Sequence, residues 1–314
     1  MLKGYLKIIR PLNLLIIALT MFAMRYLVIK PFYDYSNLVL QLTDFDFVLL
    51  VVTTILIAAG GYVINDYHDI QSDLINRPCH KTVIGNTLEP KQAMIYYIVL
   101  TVLGFASAIW FGIRLQNFNF ATLFMLIAGL LWFYSTTYKA MPLVGNLFVA
   151  IMTGLVPLLV VLFEMIKFKE TYSASLQKGE INFMPIFYFV LFFAGYAFFT
   201  NFIREIVKDI IDIEGDKKVE KKTFPVWAGI NVSKYMILVL LIVEIVSLYY
   251  LYFTFLQDDY SLYYLLFAIT PWFVASIIKT VLAKHTKDYR LISTLLKIAM
   301  VAGLGYSFII YIQI

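Results

Sequence analysis

The sequence predicts an all-α polytopic membrane protein of nine transmembrane helices, in a bundle with a parallel pseudo-repeat and a cytoplasmic N-terminus. Three observations predict it. Hydrophobic residues make up 61% of the chain and mean hydropathy is +0.82. A soluble chain of 314 residues cannot bury that much apolar side chain, so lipid must solvate much of it. The apolar residues gather into continuous stretches near the ~20 residues a helix needs to cross a hydrocarbon core, unlike the short alternating strands of a membrane barrel. The bases, finally, are unevenly shared between the two sides these stretches define.

The nine stretches are 11–29, 47–64, 92–112, 118–137, 142–163, 184–203, 233–256, 261–283 and 291–312. The first follows Lys3, Lys7 and Arg10, but it is long for a signal-peptide core and lacks a small-residue cleavage site, so it is expected to be retained. The second closes on "YVINDYHDIQSD" (Tyr62–Asp73) and the fourth on "YSTTYK" (Tyr134–Lys139). The sixth runs into "NFIREIVKDIIDIEGDKK" (Asn201–Lys218). The seventh carries Glu244 at a depth where charge is costly, so a polar partner is expected for it. Lys167–Asn182 reads as a connector; Val219–Gly229 reads as a cytoplasmic loop through its charges, Pro225 and Gly229.

With the N-terminus inside, only Arg25, Lys30, Arg114, Lys167, Lys169 and Lys178 of the 25 lysines and arginines fall outside. The net charge of +5 is thus concentrated on the inner face, where it fits topology and anionic lipid. No nucleic-acid motif accompanies it. The single cysteine, Cys79, excludes an intramolecular disulfide, and three histidines argue against a zinc centre.

Asp66, Asp69 and Asp73 are spaced i, i+3, i+7, which places them on one helix face. At about 1.5 Å per residue from Phe47, Asp66 falls at the inner interface and not at the midplane. Asp209, Asp212 and Asp216 repeat the spacing after another even-numbered stretch, so they reach the same side. Two parallel halves, spans one to four and five to eight, would bring the triplets face to face. Like charges on one face repel, so a counter-cation is expected. Carboxylates without thiols favour a hard ion, and Mg²⁺ is usually held by carboxylates together with phosphate oxygens. Arg77, Lys139, Arg204 and Lys208 gather at the same face and read as anion clamps. His68 points away from the shared face and reads as an interfacial residue.

These segments resemble the UbiA superfamily of intramembrane prenyltransferases. Its first signature, N-D-x-x-D-x-x-x-D, matches Asn65, Asp66, Asp69 and Asp73, and the following N-R-P matches Asn76, Arg77 and Pro78. The second aspartate motif matches Asp209, Asp212 and Asp216, and the tyrosine–lysine motif resembles Tyr134, Ser135 and Lys139. "IRPLN" (Ile9–Asn13) looks like the family's opening, in which the position of Asn13 lines the pocket. Where many members continue with a further Arg and a Pro-rich turn, this chain has His80 and Lys81.

The resemblance implies transfer of a prenyl chain from its diphosphate by a single domain, 1–314. Mg²⁺ would bridge Asp66, Asp69, Asp209 and Asp212 to the diphosphate, with Arg77, Lys139, Arg204 and Lys208 sharing the load and Asp73 and Asp216 either binding metal through water or orienting neighbours. Tyr62, Trp132, Tyr134, Tyr138 and Phe198 are candidate walls for an allylic cation. "REIVKDIIDIEGD" looks most like the ether-lipid branch, whose acceptor is a prenylglyceryl phosphate; His80 and Lys81 would serve that second phosphate. Transfer to an aromatic acid, as in quinone synthesis, is the competing enzymatic reading. Ion-coupled transport is the non-enzymatic one, although transporter sites usually sit near the midplane.

Overall fold

The computed structural model describes residues 2–76, 82–179 and 181–314. Among these residues nine helices are long and apolar enough to cross a membrane: Pro11–Tyr35, Asp44–His68, Pro90–Arg114, Asn119–Thr136, Val144–Thr171, Met184–Lys218, Ile230–Leu256, Asp259–Leu282 and Thr286–Gln313. They are called the first to ninth spans below. No β-strand occurs among the described residues, only an isolated bridge between Ile84 and Leu88. Large apolar side chains such as Ile98, Val102, Phe267 and Ile312 stay exposed on the spans, as a lipid-solvated surface requires. The protein is a multi-pass membrane protein.

Most of the helices overrun the stretches that hydropathy picks out, because backbone hydrogen bonding continues where apolarity stops. The second span starts at Asp44, capped by the Thr43 hydroxyl, which accepts from the Asp46 N–H at 3.2 Å. The sixth span extends to Lys218, 35 residues in all. At 1.5 Å per residue that is about 52 Å, well beyond a hydrocarbon core of about 30 Å. Asp209, Asp212 and Asp216 therefore ride on the last turns of a regular helix longer than a hydrocarbon core.

The chain forms two compact units, described separately. One comprises Met1–Leu19, Leu42–Met141 and Glu214–Lys222. Within it the second span packs on the third and fourth, and the third on the fourth. The Thr53 and Ser107 hydroxyls meet at 2.6 Å and Arg114 Nε donates to Asp46 Oδ1 at 2.6 Å, so polar contacts join the second and third spans at two levels.

The other unit comprises Thr20–Gln41, Pro142–Ile213 and Thr223–Ile314. Its core includes Ile203, Val207, Ile237, Leu241, Phe273, Ile292 and Leu296. Glu244 is 3% exposed and accepts from the Thr200 hydroxyl at 2.5 Å, which supplies the polar partner the sequence asks for. Arg25 and Glu164, 2% and 1% exposed, pair at 3.7 Å where the first span widens into a π turn over Met24–Ile29.

Tyr196 lies in a notch over Gly303, and its hydroxyl donates to the Ala299 carbonyl at 2.6 Å. A Cβ at position 303 would run into the Tyr196 ring. Gly303→Ala is therefore expected to lower stability by about 1–3 kcal/mol, read as a drop in the unfolding temperature in detergent. An unchanged midpoint would refute this packing.

Candidate active site

The second span breaks at Asp69, whose φ of −90° and ψ of 0° lie in the sparsely allowed bridge region where active-site residues often sit. The i→i−4 ladder nevertheless crosses the break: Asp69 N–H donates to the Asn65 carbonyl at 3.1 Å and Asp73 N–H to the Asp69 carbonyl at 2.8 Å. A short helix, Ile70–Asn76, follows. The spacing predicts one continuous helix for Asp66, Asp69 and Asp73; the structure replaces it with a helix end, a one-residue break and a new first turn. Asp69 is 7% exposed, Asp66 and Asp73 are half-buried, and His68 is exposed.

Two further segments reach this end of the second span. Beyond the fourth span, the 3₁₀ turn Tyr138–Ala140 presents Lys139. Its ammonium donates to Asn65 Oδ1 at 2.9 Å and pairs with Asp69 Oδ2, which also accepts from Asn65 Nδ2 at 3.1 Å. The last turns of the sixth span form the other segment. Gly215 N–H donates to Asn76 Oδ1 at 2.7 Å, an approach so close that any Cβ at 215 would collide with the Asn76 side chain.

The sixth span then closes in a Schellman motif. Lys221 N–H bonds to the Asp216 carbonyl at 2.9 Å and Glu220 N–H to the Lys217 carbonyl at 3.3 Å, with Glu220 left-handed at φ 58°. Lys222 N–H donates to the Ala140 carbonyl at 3.0 Å. This turn sends the Lys221 side chain back, so that Nζ lies 2.8 Å from Asp69 Oδ1, 3.2 Å from Ser72 Oγ and 4.0 Å from Asp216 Oδ1. One ammonium thus bridges acids from both aspartate motifs.

The N-terminal segment adds Arg10, itself left-handed at φ 53°. Its Nη2 lies 2.5 Å from Asp66 Oδ1 and its guanidinium sits over the Tyr62 ring at 5.0 Å. Asp66, Asp69 and Asp216 are therefore matched by Arg10, Lys139 and Lys221, which is what burial demands, since an unmatched buried carboxylate is costly. Burial alone would raise the Asp69 carboxyl; the Lys139 and Lys221 ammonium groups outweigh it and hold Asp69 below the usual carboxylate range. Burial likewise would lower the Lys139 ammonium, and Asp69 reverses the sign, holding it above the usual lysine value.

In the other unit, Asp209 Oδ2 accepts from Asn146 Nδ2 at 2.7 Å. Lys208 Nζ donates to both oxygens of Glu205, at 2.8 and 2.7 Å, and Arg204 Nη1 lies 3.6 Å from Glu205 Oε1. The two bases predicted as anion clamps thus share a carboxylate that the motif reading does not single out. Asp212 is half-buried. Asn13 and Tyr134 are half-buried in the first unit. Arg77 and Lys81, with Cys79 and His80, lie outside the described residues. Of the candidate walls, Tyr62 already faces a cation, Trp132 is 43% exposed, and Phe198 stacks on Phe202 at 6.2 Å.

Sequence reasoning passes over Arg10, Lys221, Glu205 and Asn146. For Lys221 no local signal separates it from Lys217, Lys218 and Lys222. For Arg10 the adjacent "RP" at the start of the first span is the only trace. Among the described residues no three carboxylate, imidazole or thiol groups converge as an ion site; Asp66, Asp69 and Asp216 face side-chain cations instead. The donors are all hard oxygens beside bases, a set suited to a hard divalent ion shared with phosphate.

A family model described as the UbiA prenyltransferase family matches residues 36–301. A digeranylgeranylglyceryl phosphate synthase from Hyperthermus butylicus is 30% identical over 271 residues, covering 86% of this chain and 81% of that one. The enzyme of the same name from Thermococcus gammatolerans is 33% identical over 189 residues, a match spanning 60% of this chain and 59% of the relative, less than two thirds of its length. Among solved structures, one of a digeranylgeranylglyceryl phosphate synthase superposes with a TM-score of 0.64 at 22% identity, covering 100% of this chain and 99% of that one. A UbiA homolog from Archaeoglobus fulgidus bound to DMAPP and Mg²⁺ gives 0.57 at 18% identity, covering 99% and 100%. At these identities the structural likeness is one of fold.

Proposed function

The chain belongs to the UbiA prenyltransferase family, and from that premise we propose that it transfers a geranylgeranyl chain from its diphosphate to the hydroxyl of a prenylglyceryl phosphate, releasing diphosphate. The observation that carries the reading is Asp69, buried and gripped from both sides by Lys139 and Lys221, with Asp216 beside the second ammonium. The names of the Hyperthermus and Thermococcus relatives support the lipid acceptor.

In this reading Asp66, Asp69, Asp209 and Asp212 would hold Mg²⁺, as the two aspartate motifs of the family imply. The ion present in the Archaeoglobus homolog supports that assignment. Magnesium supplies charge neutralisation for the departing diphosphate. The chain's own groups do the rest. Lys139, Arg77, Arg204 and Lys208 hold diphosphate oxygens; Asn65 orients Lys139 and Asp69; Asp73 and Asp216 steady neighbouring groups. Asn13 and Tyr134 line the pocket, and Lys81 meets the acceptor phosphate. The C1–O bond to diphosphate breaks, the acceptor oxygen bonds to C1, and the hydroxyl proton leaves with the released diphosphate. Aromatic faces such as Tyr134 and Tyr138 are worth about 0.5–2 kcal/mol each to a passing cation.

The whole chain, 1–314, acts as one integral-membrane domain, with the active site on the cytoplasmic face of the cell membrane. The distribution of bases supports that orientation.

The test is incubation of the purified protein with Mg²⁺, labelled geranylgeranyl diphosphate and either a prenylglyceryl phosphate or an aromatic acid. Labelled diether phosphate is the expected product. Product with the aromatic acid alone would overturn the acceptor, and no product with either would overturn prenyl transfer itself.

A further inference from the structure

We propose that Lys221 is a latch on the divalent-ion site: it serves as the internal counter-ion of Asp69 until a substrate phosphate draws it away and takes it as a ligand. The inference rests on the prenyl-transfer reading and adds a gating residue to it. Both oxygens of Asp69 are occupied, Oδ1 by Lys221 and Oδ2 by Lys139 and Asn65. A divalent ion that ligates Asp69 meets two ammonium groups already paired with it, and the like charges favour displacing one of them.

The two lysines differ in what their displacement costs. Lys139 stands on a turn directly after the fourth span and is also anchored by Asn65 Oδ1 at 2.9 Å. Lys221 follows a helix end held in a left-handed turn at Glu220, a conformation uncommon for a residue with a side chain. Its other neighbours, Ser72 Oγ at 3.2 Å and Asp216 Oδ1 at 4.0 Å, are looser contacts. The backbone bond from Lys222 to Ala140 holds the strap in place, so only the Lys221 side chain need move to release Asp69.

Charge fixes the order of events. An ion alone would leave Lys221 a like charge beside it, with only the longer Asp216 and Ser72 contacts to hold it. An ion accompanied by a phosphate gives the released ammonium a new partner, so ion and phosphate bind each other's complex more tightly than either binds alone, and by the same factor in both directions. The phosphate belongs either to the prenyl diphosphate or to the phosphorylated acceptor, both of which present the same chemistry to an ammonium group.

Binding of Mn²⁺ to the purified full chain, followed by the loss of its free-ion EPR signal, tests the latch. It is measured alone, with a non-hydrolysable prenyl diphosphate analogue, and with a prenylglyceryl phosphate. In the wild type at least one phosphate compound is expected to tighten Mn²⁺ binding about tenfold, the scale of one charge-assisted contact. Lys221→Met is expected to bind Mn²⁺ alone about tenfold more tightly than wild type and to lose that coupling. Lys221→Arg should keep the wild-type behaviour. Coupling to the diphosphate analogue assigns Lys221 to the donor; coupling to the prenylglyceryl phosphate assigns it to the acceptor. Should Lys221→Met not fold, Lys221→Gln carries the same expectation. Unchanged or weaker Mn²⁺ affinity in a folded variant overturns the latch, whereas failure of the prenyl-transfer reading shows separately, as absence of product from the wild type.

Discussion

Asp69→Asn is expected to lower kcat/KM for prenyl transfer by at least about 10³-fold, with the protein still folded in detergent. The amide keeps the shape and the helix-ending backbone of Asp69 but removes the charge on which both Lys139 and Lys221 close. Two ammonium groups then face each other across a neutral side chain, and the proposed ion loses a buried ligand. Folding should survive because the backbone bonds on either side of the break, Asp69 to Asn65 and Asp73 to Asp69, do not use the side chain. The measurement is turnover of labelled prenyl diphosphate alongside thermal unfolding. Activity within tenfold of wild type in a folded Asp69→Asn protein would remove Asp69 from the site.

Lys139→Met should cost about 10²-fold in kcat/KM, and Lys139→Arg should recover part of it. Methionine keeps the stem but removes the charge paired with Asp69 and the donor to Asn65 Oδ1. The pH dependence of the deficit is a sharper check. The Asp69 carboxyl is held below its ordinary value near ~3.9, so its pairing contributes stability above that value and is lost as pH falls through the folded one. Lys139 is held above its ordinary value near ~10.4, so its contribution is complete below that value and lost only as pH rises through the folded one. Neither group changes charge between about pH 6 and 9. The ratio of wild-type to Lys139→Met activity should therefore stay constant across that interval. A ratio that collapses at either end would mean that Lys139 titrates in the working enzyme, against this geometry.

Much of the architecture was legible without coordinates. Length and apolarity locate the spans because lipid imposes a minimum run of apolar residues, whatever they pack against. They locate the ends less well. The sixth stretch reads as 184–203, yet the helix runs Met184–Lys218, because hydropathy reports the part inside lipid and the backbone ladder does not stop there. The aspartates were legible too, since helical spacing alone puts i, i+3 and i+7 together. What spacing could not foresee was the break at Asp69, where the acid that matters most to the cluster becomes the end of one helix and the start of another.

The sequence by itself thus determined a multi-span membrane protein with two acidic triplets and a base at the end of the fourth span, because each of those properties is local. Only the tertiary structure decided which cation serves which acid. Lys217, Lys218, Lys221 and Lys222 look alike in sequence, and it is the left-handed turn at Glu220 that aims one of them at Asp69. Arg10 reaches Asp66 across 56 positions of chain, and Lys139 reaches Asp69 across 70. Pairings over such separations depend on how helices end and meet, and no periodicity along the chain encodes that.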